Sequence, residues 1–221
     1  MSRDMPDVSG YSIGILGGTG DQGKGLARRF ALAGHTVLIG SRSAARAEET
    51  VSGLDVPARG GENSVVAAEA DIVIVAVPWG GHKATLESLR PQLAGKIVID
   101  CVNPLGFDGK GAYVLPVEEG SAAQQAQSVL PESRVVAAFH HVSAVLLLDP
   151  GVTEINLDIL VLGDDREATD IVCALAGRIA GARGIYGGRL RNAGQIEGLT
   201  ANLISINRRY KAHAGLRVTD V

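Results

Sequence analysis

This 221-residue chain has no strong excess of positive or negative charge, few aromatic residues and no long apolar run. The 21 Lys and Arg residues nearly balance 24 Asp and Glu residues, and aromatic residues make up only 4%. Without a basic excess we expect no nucleic-acid partner. The longest uncharged apolar run, Ile72 to Trp79, is far shorter than the ~20 residues of a membrane span, so we expect no membrane partner and a cytoplasmic protein.

Cysteine is also scarce. Cys101 and Cys173 are far apart, with no Cys-x-x-Cys pair and no His/Cys cluster. This spacing excludes a disulfide framework and favours no metal site. We expect both residues to be small buried hydrophobes.

Short β-branched runs alternate with helical patterns from Tyr11 onward. The predicted strands are Ser12–Leu16, Thr36–Ile39, Asp71–Val77, Lys96–Asp100, Arg134–Phe139 and Leu157–Leu162. The predicted helices are Gly23–Ala33, Ala44–Val51, Ser64–Ala70, Lys83–Leu89, Ser121–Leu130, Arg166–Ile179 and Gln195–Tyr210. The alternation predicts an α/β fold with a Rossmann-type, doubly wound parallel sheet and a small helical C-terminal portion.

The same patterns suggest three regions. Residues 1–10 lack apolar periodicity and are predicted to be a flexible leader. Residues 11–150 would form the α/β domain, and residues 151–221 a small C-terminal portion whose last helix has an apolar face that meets either the domain or a second subunit. The Gly-rich stretch Gly181 to Gly194 is predicted to be a long functional loop.

The most specific motif is the glycine loop Gly18-Thr19-Gly20-Asp21-Gln22-Gly23, which follows a predicted strand and opens a predicted helix. Gly18 suits a tight turn, Gly20 a close approach of the ligand, and Gly23 close packing of helix on strand. The helix N-terminus would offer backbone N–H groups to a pyrophosphate. The motif therefore predicts dinucleotide binding.

The end of the second strand indicates which dinucleotide binds. No acid stands there to accept from a ribose hydroxyl; the chain has Ser41 and Arg42, with Arg46 one helical turn later. Two guanidiniums and a hydroxyl suit the 2′-phosphate of NADP. A solvated basic helix start is the alternative.

Two further segments end at the edge of the sheet where such folds bind ligands. Val77-Pro78-Trp79 lies at the carboxyl end of the predicted strand Asp71–Val77, and Trp79 is the single tryptophan of the chain. His140 and His141 close a later strand, where strand alternation would point them to opposite faces. We expect His140 to donate a hydrogen bond to a ring oxygen or nitrogen of a bound substrate. The alternative is a buried histidine whose hydrogen bonds are made within the protein.

Together these segments resemble the NADPH-dependent F420 reductases, also called F420-dependent NADP oxidoreductases. The resemblance rests on Leu16 to Gly25, Gly34-His35, Ile39 to Arg42, Val77-Pro78-Trp79, Val135 to His140, Gly163-Asp164-Asp165 and Arg191 to Thr200. It implies a homodimer that transfers hydride reversibly between NADPH and the deazaflavin coenzyme F420. Residues 11–150 would then be the NADP-binding domain, and residues 151–221 would contribute to the acceptor pocket and the dimer contact.

The resemblance also implies roles for individual residues. The adenosine and phosphate parts of NADP would be held by Thr19, Gly20, Asp21, Gln22, Ser41, Arg42 and Arg46. Val77, Pro78, Trp79 and Ala144 would lie by the nicotinamide, and His140 and Thr200 would contact the deazaflavin.

Glycines at 194 and 198 depart from the family pattern, which often has arginine and serine there. Two polar contacts to the deazaflavin would then be missing, and basic residues such as Arg191 and Arg209 could replace them. The departure leaves two alternatives open. One is an NADPH-dependent reductase of a flavin, an imine or a ferric complex, and the other is a non-catalytic NADPH-binding sensor.

Overall fold

The computed structural model describes residues 5–221, so residues 1–4 of the predicted leader lie outside the described residues. Within the rest of that leader, Val8 is buried in the core. No helix in the described part of the chain is both long and apolar enough to cross a membrane.

One mixed sheet of eight strands and one two-stranded hairpin contain all the strands of residues 5–221. The strands are β1 Ile13–Leu16, β2 Val37–Ser41, β3 Arg59–Glu62, β4 Ile72–Val75, β5 Ile97–Asp100, β6 Leu105–Asp108, β7 Gly111–Val114, β8 Arg134–Ala137, β9 Asp158–Gly163 and β10 Arg183–Gly188. The order in the large sheet is β10-β9-β8-β5-β4-β1-β2-β3. Neighbours are parallel except β8 and β9.

Helices cover both faces of this sheet. They are α1 Asp21–Leu32, α2 Ala44–Ser52, α3 Asn63–Glu69, α4 His82–Leu93, α5 Ala122–Val129, α6 Ala144–Leu148, α7 Arg166–Ala176 and α8 Ala193–Tyr210. Strands β1, β4 and β5 are buried along their whole length because apolar clusters lie on either side of them. The predicted Rossmann-type, doubly wound fold is confirmed.

Every predicted strand and helix has a counterpart, but β3, β10, α6 and the β6–β7 hairpin were not predicted. The interpretation of Gly181 to Gly194 as a long loop is wrong, because this stretch contains β10, which pairs in parallel with β9. Gly184 allows β10 to pack closely on α7, because a Cβ there would collide with the backbone of Cys173. Both cysteines are buried, as expected.

Residues 158–221 are joined to the rest of the fold by the sheet and by ion pairs at Asp158. Asp158, at the start of β9, accepts from Arg183 Nε and Nη2 at 2.7 Å each and from Arg217 Nη1 at 3.2 Å. The Val218 amide also donates to its carboxylate, at 2.6 Å. The Arg183 guanidinium holds the pKa of Asp158 down at about 2. These contacts fix the C-terminal segment against the sheet.

Candidate active site

Two large cavities lie at the carboxyl edge of the sheet, one of about 520 Å³ and the other of about 730 Å³. The larger one, the nucleotide cavity, is lined by Gly17, Thr19, Gly20, Asp21, Gln22, Ser41, Arg42, Arg46, Asn63, Ala76, Val77, Pro78, Gly80, Gly81 and Thr85. It thus brings together the glycine loop, the end of β2 and the segment after β4, which are distant in sequence.

The glycine loop offers backbone donors to this cavity. Gly20 precedes α1 and has no side chain to cap it, so the first N–H groups of the helix are left for a ligand. Gly18 and Gly23 contact each other: a Cβ on Gly23 would lie 2.6 Å from Gly18 Cα. These two glycines therefore shape the loop, while Thr19, Gly20 and Gln22 line the cavity.

The far end of the nucleotide cavity is positively charged. Ser41 is buried at the end of β2, and the exposed side chains of Arg42 and Arg46 lie beside it. Sequence reasoning missed Asn63, whose Oδ1 accepts from the Gly17 amide at 3.3 Å. Its position directly before a predicted helix, at the end of the undetected strand β3, was the available signal.

The second cavity, the acceptor cavity, adjoins the first, and both are lined by Gln22, Ala76, Val77 and Pro78. Its other lining residues are Trp79, Cys101, Val102, Asn103, Leu105, Phe107, His140, His141, Val142, Ser143, Ala144, Thr200, Leu203, Ile204, Asn207 and Ala214. The structure therefore places Trp79, His140, Ala144 and Thr200 in one cavity, although they come from three separate segments: the one after β4, the one after β8, and α8.

Both histidines line the acceptor cavity, but the premise that they lie in a strand, on which the expectation of opposite faces rested, is wrong. Strand β8 ends at Ala137, and Phe139 adopts a positive φ of 66°. The chain has left the strand before His140, and the alternation of a strand no longer applies.

His140 is 4% exposed, and neither ring nitrogen has a hydrogen-bond partner within residues 5–221. Burial lowers its pKa to about 4, so the ring is neutral at pH 7. A neutral imidazole has one N–H donor and one acceptor nitrogen. Its backbone carbonyl is satisfied, since Asn103 Nδ2 donates to it at 2.9 Å and Thr200 Oγ1 at 3.2 Å.

His141 is buried beside it. The Leu160 amide donates to His141 Nε2 at 3.4 Å, and burial lowers the pKa of this ring also to about 4. The contact holds His141 against β9. Among the described residues, His140 is thus the histidine whose two ring nitrogens are both buried without a hydrogen-bond partner.

A buried polar cluster supports the acceptor cavity and was not predicted. His82 Nε2 lies 2.6 Å from Asp100 Oδ2, and both side chains are fully buried. Burial is the largest single influence and opposes a charge on His82, but the charge of Asp100 and the hydrogen bonds with Asp100 and Gln125 together raise the pKa of His82. The Trp79 ring packs on the His82 ring at 5.5 Å, so the cluster holds Trp79 at the cavity wall.

Glu197 completes this support from α8. Its carboxylate accepts from the Ala122 amide at 2.9 Å and the Ala123 amide at 3.1 Å, at the start of α5. Burial raises the pKa of Glu197 to about 7. Glu197 lies one helical turn before Thr200, so this contact fixes the part of α8 that lines the cavity.

The structure explains the two unusual glycines of α8. A Cβ on Gly194 would lie 2.8 Å from the Gly120 carbonyl oxygen, and one on Gly198 would lie 3.2 Å from Val114 Cγ2. Both glycines therefore face residues 114–121 and permit close packing there. Arg191 and Arg209 are exposed, and neither is among the described residues that line the acceptor cavity.

Residues 5–221 contain no cluster of three or more His, Cys, Asp or Glu side chains that could hold a metal ion. Cys101, at the wall of the acceptor cavity, donates its thiol to the Val75 carbonyl oxygen, and burial raises its pKa. The polar groups that face the cavity are thus mainly neutral hydrogen-bonding groups.

Comparisons with known proteins agree with this geometry. Residues 12–104 match the family described as NADP oxidoreductase, coenzyme F420-dependent. The chain is 40% identical to the F420-dependent NADP reductase of Methanothermobacter thermautotrophicus, over 98% of each chain. It is 39% identical to the enzyme of the same name from Methanocaldococcus jannaschii, over 95% of this chain and 98% of the other.

Among solved structures, a candidate F420-dependent NADP-reductase from Arthrobacter sp. FB24 superposes with a TM-score of 0.83 at 28% identity. The match covers 95% of this chain and 100% of that one. With near-complete coverage of relatives at 40% identity, the chain belongs to the F420-dependent NADP oxidoreductase family.

Proposed function

We propose that this chain catalyses reversible hydride transfer between NADPH and the deazaflavin coenzyme F420. The observation that carries the proposal is the junction of the nucleotide and acceptor cavities, which share Gln22, Ala76, Val77 and Pro78. Two ring systems that entered from either side would meet at this junction. Relatives that are about 40% identical carry this activity in their names.

The nucleotide cavity would bind NADP along its length. The first-turn N–H groups of α1 would donate to the pyrophosphate, with Thr19, Gly20, Asp21 and Gln22 around it. Ser41, Arg42 and Arg46 would hold the 2′-phosphate, because charge-assisted donors suit an oxyanion that carries close to two charges.

The nicotinamide would lie at the junction, against Val77, Pro78, Trp79 and Ala144. These mostly apolar side chains exclude water from the reacting atoms. Trp79 cannot move freely, since it packs on the buried His82. By holding the nicotinamide against these residues, the protein fixes one of the two cofactor rings, whose reacting carbons must approach to ~3–3.5 Å.

The deazaflavin would occupy the acceptor cavity beside His140 and Thr200. The neutral His140 ring can donate one N–H to an oxygen or nitrogen of the acceptor as negative charge develops there. When bound, NADPH gives a hydride to the deazaflavin, which also takes up one proton, so that NADP⁺ and the reduced deazaflavin are formed. The chain supplies orientation, water exclusion and this neutral donor.

We further propose that the protein acts as a homodimer in the cytoplasm, where NADPH is available, and that residues 151–221 contribute to the dimer contact. Large apolar side chains near the acceptor cavity support the dimer: Val145, Ile206 and Tyr210 are exposed. Burial of such side chains favours association. Multi-angle light scattering of the purified chain tests this proposal, and a monomeric mass at assay concentration would contradict it.

An absorbance assay tests the activity. The purified chain is mixed with NADPH or NADH as donor and with F420 or flavin mononucleotide as acceptor, in all four combinations. We expect rapid loss of deazaflavin absorbance with NADPH and little with NADH. Tight NADPH binding without turnover of F420 would refute the proposal and favour a different acceptor.

A further inference from the structure

The β6–β7 hairpin has two different faces. Cross-strand register pairs Leu105 with Val114, Gly106 with Tyr113, and Phe107 with Ala112. Leu105 and Phe107 therefore share one face, and both line the acceptor cavity. Tyr113 lies on the other face, where its ring covers Gly106 so closely that a Cβ there would collide with it.

Phe107 lies at the mouth of the acceptor cavity. It lines the acceptor cavity, yet its side chain is 70% exposed. Its cross-strand neighbour, Ala112, is small and covers little of the ring. A large apolar side chain left open at the mouth of a cavity gains most when a ligand covers it.

The hairpin is held in place at its base and along one side. The Leu115 amide donates to the Pro104 carbonyl at 2.9 Å, which closes the base. Val114 packs against α8 at Gly198, where a Cβ would lie 3.2 Å from Val114 Cγ2. The glycine at 198 thus allows the hairpin to approach α8 and the cavity closely.

We propose that Phe107 covers the outer face of the acceptor ring and selects flat, extended heteroaromatic acceptors. The proposal rests on the proposed function of the acceptor cavity. Aromatic rings stack favourably when offset, and a stacked Phe107 would shield the second plane from water as Trp79 shields the first. Gly198 would be a positioning residue, because it determines how closely the hairpin approaches.

The test compares Phe107→Ala with Tyr113→Ala, a variant on the opposite face of the same hairpin. We expect Phe107→Ala to raise the KM and the directly measured Kd for F420 about tenfold, with the KM for NADPH unchanged. Tyr113→Ala should change either constant less than about twofold, and Phe107→Trp should restore F420 affinity. Equilibrium dialysis gives the Kd independently of turnover.

Gly198→Val provides a second, independent variant. It should push Val114 outward, raise the KM for F420, and have little further effect when combined with Phe107→Ala. Thermal unfolding separates this effect from misfolding, since all variants should unfold within a few degrees of the parent.

The outcomes distinguish the two proposals. If the unaltered chain does not reduce F420, the proposed function fails, whatever Phe107 does. If it reduces F420 but Phe107→Ala leaves both KM and Kd unchanged, the assignment of Phe107 is overturned. An equal loss of F420 affinity in Tyr113→Ala and Phe107→Ala would also overturn it, because the hairpin would then act only as a structural support.

Discussion

Arg42 and Arg46 should determine the preference for NADPH over NADH. Each would donate at least one charge-assisted hydrogen bond to the 2′-phosphate, and such bonds contribute roughly 1.5–3 kcal/mol. Because both side chains are exposed, water and salt weaken the interaction, and the lower figure applies. Replacing either by Ala should thus raise the KM for NADPH about tenfold, and replacing both should raise it further. NADH lacks the phosphate, so its KM should stay constant.

Steady-state assays with both nucleotides at low and high salt provide the measurement. The parent's preference for NADPH should shrink as salt rises, whereas the double variant should show little salt dependence. Arg90→Ala is the matched control, since Arg90 is an exposed arginine of α4 outside the nucleotide cavity. Equal increases in the KM for NADH and NADPH would refute the reasoning, because they would show that the arginines do not recognise the phosphate.

Three further predictions concern other parts of the molecule. His140→Ala should raise the KM for F420 or lower kcat by up to about tenfold, which is the effect of losing one neutral hydrogen bond. If both constants are unchanged, the proposed hydrogen bond from His140 to the deazaflavin is refuted. Asp158→Asn should lower Tm at pH 7. The pKa of Asp158 is held at about 2, below its usual 3.8, so its ion pairs stabilise the fold above pH 3.8 and are lost as the pH falls through 2. Calorimetry should show the Tm difference between parent and variant shrinking over this range, and a difference as large at pH 2 as at pH 7 would contradict this. Trp79 is the single tryptophan, so NADPH should quench protein fluorescence in the parent, and the absence of any change would contradict its place beside the nicotinamide.

The sequence predicted the central part of the fold because its signals are local. Continuous apolar strands such as Ile72–Val75 and the glycine loop at Gly18 to Gly23 each need only a short segment to be recognised. The order of those elements also predicted which loops reach the carboxyl edge of the sheet. Ser41, Arg42 and Arg46 could therefore be placed beside the loop before the structure was known.

The unpredicted features depend on contacts between distant segments. Each strand of the β6–β7 hairpin has only four residues, too few for its apolar alternation to stand out, and β10 is masked by its glycines, of which Gly184 packs against α7. The His82–Asp100 pair joins two elements, and neither residue is distinctive alone. The orientation of His140 depends on the positive φ of Phe139, which a β-strand pattern does not reveal.

In the proposed function, two contiguous cavities hold the nicotinamide and the acceptor ring in direct contact. The most direct test of this arrangement is isotope transfer: NADPH deuterated at either position of nicotinamide C4 is reacted with F420 in ordinary water, and the reduced deazaflavin is analysed by mass spectrometry. One of the two labelled forms should pass its deuterium to the product without exchange with solvent. Reduced F420 without deuterium from either form would contradict direct transfer between the cavities.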